Sequence, residues 1–460
     1  MKKVLIWGTG DYYQANKSIF YSDIEIVGFI ENDFALQGTI VDSKQVYNPD
    51  AVFSMEYDFI FILCPEYQEI RRQLMKLDLP RNIVVYDVTQ IEMLCPLREL
   101  FYYNYPREAT EKTKLLIFSP ALISTGAQNV LMSLIMILNK RKFDITVVSK
   151  SDGVLKTKLL DMGISVVVTP DFRADSDHIR SLVAWSDVIL VNTLWLSYLV
   201  EGVKKYDRHV IWWLHESAML AYLDINSIYR CLCDEKVITY AVSKVVSDYL
   251  EEKTGQFGRI RLLPFGIPSY AKESSKTENR KLVFALIAGV SYIKGQDIYL
   301  NAINALSKKY KDKATFLLIG AGSLDNTLQG IVDCNDCIQV LGEIDNRLMP
   351  KTYSEIDIVC CCSREESMSV TVIEGFMNGK LAIISDKAGV ASYVSDGENA
   401  FVVNVEDVEA WKNSFEWVID HPRLANNIGN ASRKLYDAYF TMEAFESRVK
   451  IIFNELGFVW

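Results

Sequence analysis

Two carboxylates eight residues apart, Glu366 and Glu374, flank a change of pattern in Ser363-Arg364-Glu365-Glu366-Ser367-Met368-Ser369-Val370-Thr371-Val372-Ile373-Glu374. An apolar run typical of a buried strand ends at Cys362, and a helix is expected from near Ser369. A helix start offers unpaired N–H groups and a positive dipole end. Ser367 and Ser369 can cap it, and the amides of Met368, Ser369 and Val370 would face an anion. Glu366 can then reach a ligand at the helix start, while Glu374, about one and a half turns inside, reaches a part lying alongside. A sugar nucleotide has this layout, with hydroxyls on both sides of a diphosphate. Taken alone, the same pair also fits a capping carboxylate and a surface ion pair.

Two further segments add groups of the matching kind. In Gly289-Val290-Ser291-Tyr292-Ile293-Lys294-Gly295-Gln296-Asp297 a strand runs into a loop whose Lys294 precedes a glycine and a helix. An ammonium there can lie against a diphosphate and stabilise charge developing on a leaving group; a solvated loop lysine is the plain alternative. Leu318-Ile319-Gly320-Ala321-Gly322 is a strand followed by Gly-x-Gly, where Gly320 allows close approach of backbone to a ligand or simply a tight turn.

The elements that must position these groups repeat in three blocks. Residues 1–105 alternate strands (Lys3–Trp7, Ile24–Ile30, Phe59–Cys64, Ile83–Tyr86) with helical patterns such as Glu69–Leu77. The polar stretch Asn104–Thr113 is expected to be a boundary. The alternation restarts over 114–270 and, after the charged linker Lys272–Arg280, over 281–440, with a helix expected at Asp297–Lys308 and strands at Cys337–Leu341 and Ala400–Val403. Thr441 is expected to cap a terminal helix within 441–460 that packs back on the middle block. The fold class is therefore α/β: two facing Rossmann-like doubly wound domains behind a third, small one, with ligands at the strand C-termini lining the cleft.

The motifs GxxxxKGxD, IGAGS and E-x7-E at a strand-to-helix turn together resemble the retaining GT-B glycosyltransferases of glycosyltransferase family 4. Upstream, Ser124-Thr125-Gly126-Ala127-Gln128-Asn129-Val130 is similar to the family's Gly-rich loop, Trp213-Leu214-His215-Glu216 to its strand-end histidine, Ala241-Val242-Ser243-Lys244 to its serine turn, and Leu263-Pro264-Phe265-Gly266-Ile267 to its PNGI segment. The resemblance covers about residues 114–460. It implies that Glu374 accepts hydrogen bonds from a donor ribose, Glu366 contacts donor-sugar hydroxyls, Lys294 meets the diphosphate, Gly126 lets backbone approach it, and His215 stands near the reaction centre. Catalytic roles thus fall to Glu366, His215 and Lys294, and donor binding to Gly126, Lys294, Gly320, Glu366, Met368, Ser369, Val370 and Glu374. The acceptor side is expected around Thr125, Asn192, Thr193 and Trp195. The implied activity is hexosyltransferase-type transfer from a nucleotide-diphosphate sugar, a UDP-sugar by family frequency, to a glycan, lipid-linked or protein acceptor in bacterial surface polysaccharide or glycoconjugate assembly. No cofactor is required, and no metal is implied because no DxD-type pair sits at a suitable strand end. Two positions depart from the family: Gly289 replaces an arginine five residues before Lys294, and Ser392 stands where a GGxPE turn has glutamate. Arg364 or Arg347 are the candidates to replace the missing cation.

The front block carries Gly8-Thr9-Gly10 after a strand, with Tyr13 at the third glycine position of the dinucleotide fingerprint and Glu31 at the next strand's end. It resembles the small Rossmann-like domain ahead of some bacterial sugar-modifying enzymes. Gly8, Gly10 and Glu31 would form a nucleotide site; the alternative is a degenerate domain for packing or partner contact, including homo- or hetero-oligomers. That domain supports one rival function, an NAD-dependent sugar-nucleotide oxidoreductase, although no Tyr-x-x-x-Lys is convincingly placed. A second rival is a non-catalytic partner subunit.

Composition bounds these readings. The chain has 460 residues, half of them hydrophobic, enough for several cores. A net charge of −10 argues against nucleic acid as the partner. The apolar run at Val4–Trp7 is too short for a signal peptide and Val188–Val200 too broken for a membrane span, so a cytoplasmic protein is expected. Lys140-Arg141-Lys142 and Lys204-Lys205 with Arg208 would serve peripheral contact with the inner face of a membrane, or are ordinary solvated helix ends. Of the nine cysteines, Cys360–Cys362 lie in a strand, and Cys334-x-x-Cys337 lacks the second pair a zinc site needs.

Overall fold

Parallel strands buried on both faces need near-continuous apolar runs, and this chain supplies them in three series. The computed structural model describes residues 2–17, 24–76, 84–87, 101–103, 111–138, 142–169, 172–216, 223–270 and 280–458. Most of the expected boundary at 104–113, most of the linker at 272–280, the start of the strand at Ile83, and Lys140 and Arg141 lie outside the described residues. The chain divides into two compact units, Met1–Phe101 with Val168–Phe172, and Tyr102–Val167 with Arg173–Trp460.

In the first unit, β1 (Lys2–Trp7), β2 (Ile24–Ile30), β3 (Ile40–Val41), β4 (Lys44–Tyr47), β5 (Phe59–Ile62) and β6 (Val84–Asp87) form a sheet in the order β3-β4-β2-β1-β5-β6. The pairs are parallel except the β3–β4 hairpin. That hairpin escapes the sequence patterns because its turn, Asp42-Ser43, takes positive φ (43° and 66°) without a glycine. Leu5, Trp7, Ile60 and Ile62 pack on one face, Val4, Ile6, Phe29 and Phe61 on the other.

Next come β7 (Phe101–Tyr103), β8 (Thr113–Ser119), β9 (Phe143–Ser149), β10 (Ser165–Val168), β11 (Val188–Asn192), β12 (His209–Leu214), β13 (Val237–Ala241) and β14 (Ile260–Leu262), ordered β14-β13-β12-β11-β8-β9-β10-β7. The third sheet has β15 (Leu282–Ile287), β16 (Ala314–Ile319), β17 (Ile338–Gly342), β18 (Ile358–Cys361), β19 (Leu381–Ser385) and β20 (Phe401–Val403), ordered β17-β16-β15-β18-β19-β20 and parallel throughout. Chain order reverses at β15, between β16 and β18, so the loops after β15 and β18 diverge around a crevice where such sheets bind ligands.

The helix expected over Asp297–Lys308 is two pieces, Gln296–Asn304 and Lys308–Lys311, because the chain turns at Leu306 to bury that side chain. Thr441 caps the last helix, Met442–Glu455, its hydroxyl accepting from Ala444 N at 3.1 Å. This helix lies on the second sheet, with Phe453 4.9 Å from Phe143 and Phe445 5.7 Å from Trp213, ring to ring. The preceding helix, Pro422–Tyr439, lies on the third, where Ser432 Oγ donates to Lys380 O at 2.9 Å. The chain thus crosses between the two sheets at 440–441 as well as near Ile267, and the crossings are tied together: Ile267 N donates to Phe440 O and Tyr436 Oη to Ile267 O, each at 3.0 Å. Among the described residues no helix is long and apolar enough to cross a membrane.

Candidate active site

The turn after β18 delivers both carboxylates. Ser369 caps the helix Val370–Met377, its hydroxyl accepting from Val372 N at 3.4 Å. Val372, Ile373 and Phe376 anchor the helix in the core, leaving Glu374 on the open side. Glu374 Oε2 accepts from Tyr353 Oη at 2.9 Å, a hydroxyl that also lies 2.9 Å from Thr371 O. Tyr270 stands beside the same carboxylate, but its buried hydroxyl completes no hydrogen bond among the described residues. Burial pushes the Glu374 carboxyl above its ordinary value, and the two tyrosines work against that shift.

Glu374, Val370, Thr371, Gly320, Gly289 and Tyr270 line a cavity of about 650 Å³, and Asn129, Val130 and Ser133 line its other side. The last three belong to the helix Gly126–Ile137, so Gly126 opens the element that forms this wall without lining the cavity itself. Thr125, at the helix start, hydrogen-bonds the Gln128 side chain. At Gly320 φ is +146° and a Cβ would stand 2.1 Å from Ala288 O, so the tight passage beside β15 requires glycine.

Lys294 and Glu366 meet outside that lining, with Nζ 2.6 Å from Oε2 and both side chains largely buried. Burial pulls the Lys294 ammonium down, but the adjoining Glu366 carboxylate outweighs it and holds the group above its ordinary value. Gly295 fixes this loop against the end of β18: its φ is +71°, and a Cβ there would stand 2.0 Å from Cys362 O. Met368 and Ser369 are buried within the turn. Ser243, capping position of the helix Lys244–Thr254, donates to Ser367 O at 2.5 Å and ties the second sheet's domain to this turn.

Neither arginine proposed to replace the absent cation is free to do so. Arg364 gives its guanidinium to Asp297 in a two-pronged pair (2.8 and 2.7 Å) and to Glu406 (2.7 Å). Arg347 is exposed and paired with Asp345 through its side chain. A guanidinium already saturated by carboxylates cannot supply net positive charge to a diphosphate.

On the acceptor side, His215 directly follows β12, with its Nε2 2.9 Å from Asn192 Oδ1 at the end of β11. Burial holds the imidazole well below its usual range, hence neutral. Its neighbour Glu216, which sequence motifs did not single out, accepts from Leu194 N (2.8 Å) and His215 N (3.2 Å), and burial raises its carboxyl to about 7. Between them lies Thr193, a non-glycine residue at φ +96°. Its own N–H bonds Trp213 O (2.8 Å) and its carbonyl accepts from Trp212 Nε1 (2.9 Å), so hydrogen bonds on both sides over-determine the strain. Trp195 is half-buried in the short turn that follows.

In the front unit Glu31 Oε1 accepts from Thr9 N (2.6 Å) and Thr9 Oγ1 (2.7 Å), fastening the Gly8–Gly10 loop. Gly8 is required by packing, since a Cβ would stand 2.5 Å from Leu63 O. Tyr13 is buried against Phe29 and donates to Asp42 at 2.9 Å, filling the position where a dinucleotide fingerprint has its third glycine.

Comparison with known proteins matches this arrangement. Residues 269–435 match the family "Glycosyl transferases group 1", residues 111–264 match "Glycosyl-transferase family 4", and residues 1–85 match a separate family, "C2185-like, N-terminal". The two larger domains thus carry the family-4-like and group 1 glycosyltransferase signatures, over residues 111–264 and 269–435. Their fold is GT-B: the UDP complex of HepE from Anabaena superimposes with a TM-score of 0.64 at 17% identity, over 75% of this chain and 100% of that one. A glycosyltransferase from Rickettsia africae gives 0.63 at 18% identity, over 75% and 99%. D-rhamnosyltransferase WbpZ of Pseudomonas aeruginosa is 25% identical over 309 residues, 62% of this glycosyltransferase and 76% of that protein. Alpha-D-kanosaminyltransferase of Streptomyces kanamyceticus is 21% identical over 189 residues, 40% and 48%, so the match spans about half of that relative's length.

Proposed function

We propose that this chain is a retaining, hexosyltransferase-type enzyme that moves a sugar from a UDP-sugar to a glycan, lipid-linked or protein acceptor in bacterial glycoconjugate assembly, acting at the cytoplasmic face of the membrane. One observation carries the reading: the helix Val370–Met377 presents Glu374 to a cavity of about 650 Å³, while the Lys294–Glu366 pair stands at its N-terminal side. That volume suits a nucleotide. Glu374 accepts from the ribose hydroxyls, Gly320 leaves room for the ligand beside the backbone, and the turn at Met368, Ser369 and Val370 faces the diphosphate.

In transfer, the bond from the sugar's anomeric carbon to the diphosphate oxygen breaks, and the acceptor oxygen bonds that carbon on the same face. The acceptor proton passes to the departing phosphate, so no side-chain base is needed. Lys294 stabilises the charge growing on the leaving group, and Glu366 orients the sugar through its hydroxyls. His215, neutral and steered by Asn192, contributes a hydrogen bond near the reacting carbon.

The test is release of UDP from a panel of UDP- and GDP-sugars, with calorimetric binding of the free nucleoside diphosphates. Binding of UDP that Glu374→Gln weakens is the expected result. Failure of every nucleoside diphosphate to bind would overturn the assignment in favour of a non-catalytic partner.

A further inference from the structure

Arg364 grips the loop that carries Lys294 at several points from outside. Arg364 N donates to Ile293 O at 2.7 Å, and Arg364 Nη1 to Tyr292 O at 2.8 Å. Its guanidinium lies 3.9 Å over the Tyr292 ring. The same group reaches past the loop to Asp297, on the first turn of the helix Gln296–Asn304, and to Glu406, just beyond β20. Arg364 therefore grips both ends of the segment Tyr292–Asp297, with Lys294 in between, and its own chain leads within two residues to Glu366. Its side chain is only 13% exposed, so the bonds to Asp297 are partly shielded from water, whereas Glu406 is an exposed partner.

We infer that Arg364 is a positioning residue for diphosphate recognition, holding the Lys294 ammonium and the Glu366 carboxylate at a fixed separation from the ligand rather than contacting it. The inference rests on the proposed donor site. Its physical ground is the glycine at 289: with no arginine there, diphosphate recognition leans on one flexible lysine, whose rotamer freedom must be restricted before its charge can act at a defined distance. Arg364 and Asp297 cancel one another's charge, so the clamp adds order and not attraction. Tyr292 completes it: the ring is 73% exposed and has no core of its own, and it is kept in place by the guanidinium beneath.

The experiment compares uridine with UDP as ligands for the whole protein, by calorimetry, in wild type, Lys294→Ala, Arg364→Lys and Arg364→Ala. The ratio of the two affinities reports the diphosphate contribution, and uridine alone reports the integrity of the fold and of the Glu374 region. In wild type UDP is expected to bind about 10- to 100-fold more tightly than uridine, the range for charge-assisted bonds. Arg364→Lys keeps a charge for Asp297 but loses the fork and the stacking. It should reduce the ratio at least severalfold with uridine affinity unchanged, and adding Lys294→Ala should cost less than it does in wild type. Arg364→Ala should do the same more strongly; should it fail to fold, Arg364→Lys still decides. A wild-type ratio retained in Arg364→Lys overturns the positioning role. A parallel loss of uridine and UDP makes Arg364 a general structural residue and overturns it too. No discrimination in wild type overturns the donor-site reading itself, and the inference with it.

Discussion

The Lys294 ammonium lies 2.6 Å from the Glu366 carboxylate, although the two residues are 72 positions apart in sequence. They belong to the loops after β15 and β18, which the strand order places side by side. The carboxylate holds the Lys294 ammonium charged in a largely buried setting. Because the pair is preorganised, both single variants should be severe. Lys294→Ala and Glu366→Gln are each expected to lower transfer by about 10²–10³-fold, the cost of removing one electrostatic stabiliser from a transition state. Circular dichroism should stay native while the unfolding midpoint falls, since each variant leaves a largely buried charge unpaired, and turnover within tenfold of wild type in either variant would remove that residue from the catalytic group.

Glu216 gives a pH prediction with a defined sign. Burial raises its carboxyl from 4.5 to about 7, against the pull of the backbone amides of Leu194, His215 and Glu216. Between those values the folded chain holds a proton the unfolded chain has released, so the stabilisation present below pH 4.5 is lost as the pH rises through about 7. Glu216→Gln keeps an oxygen for the Leu194 and His215 amides and carries no charge. It should unfold at a higher temperature than wild type at about pH 8, by about 1–3 kcal/mol of stability, with the two curves converging near pH 5. His215 acts in the opposite direction, since burial lowers it, but it is present in both proteins and drops out of the difference. Equal midpoints at both pH values would show that folding does not raise the Glu216 carboxyl.

A close approach at Gly389 makes a third test. A Cβ there would stand 1.9 Å from Ser367 O and 2.5 Å from Ser243 Oγ, the two groups whose hydrogen bond joins the domains beside the catalytic turn. Gly389→Ala must push this contact apart. The expected cost is about 1–3 kcal/mol of stability, as for other overpacked sites, together with weaker nucleoside diphosphate binding. Unchanged melting and binding would show that the contact opens without consequence.

Much of the site was readable in one dimension because chemistry there is tied to strand ends. Glu366, Glu374, Lys294 and Gly320 each follow a recognisable apolar run, and the parallel order then brings those run-ends together. The groups that sequence missed reach the site through side-chain length and not through position in a motif. Tyr353 sits in the helix Met349–Glu355, whose sequence says only that one face is apolar, and its hydroxyl crosses to Glu374. The expectation that Arg364 could supply a missing charge followed from its place beside Glu366; its direction, toward Asp297 and Glu406, depends on partners 67 and 42 residues away. In the front unit the glycines are compatible with a nucleotide loop or with a packing domain; Gly8 answers to Leu63 O and Glu31 to Thr9, contacts that no spacing rule reveals.

Tyr270 carries the last prediction. Its residue precedes the segment linking the second and third sheets, its hydroxyl is buried without a partner among the described residues, and the Glu374 carboxylate is beside it. A buried phenol left unpaired is unfavourable, and the nearby carboxylate further disfavours its ionisation. Tyr353 has one proton for both Thr371 O and Glu374, so Glu374 has acceptor capacity to spare. A ribose diol that draws Glu374 toward Tyr270 would let the phenol complete a hydrogen bond to the carboxylate. Tyr270→Phe should then leave the unfolding midpoint unchanged or slightly raised, while UDP affinity falls about three- to tenfold, the worth of one such bond. Calorimetry on the variant checks both halves: a raised midpoint with undiminished UDP affinity would make the hydroxyl a plain cost of packing with no part in nucleotide recognition.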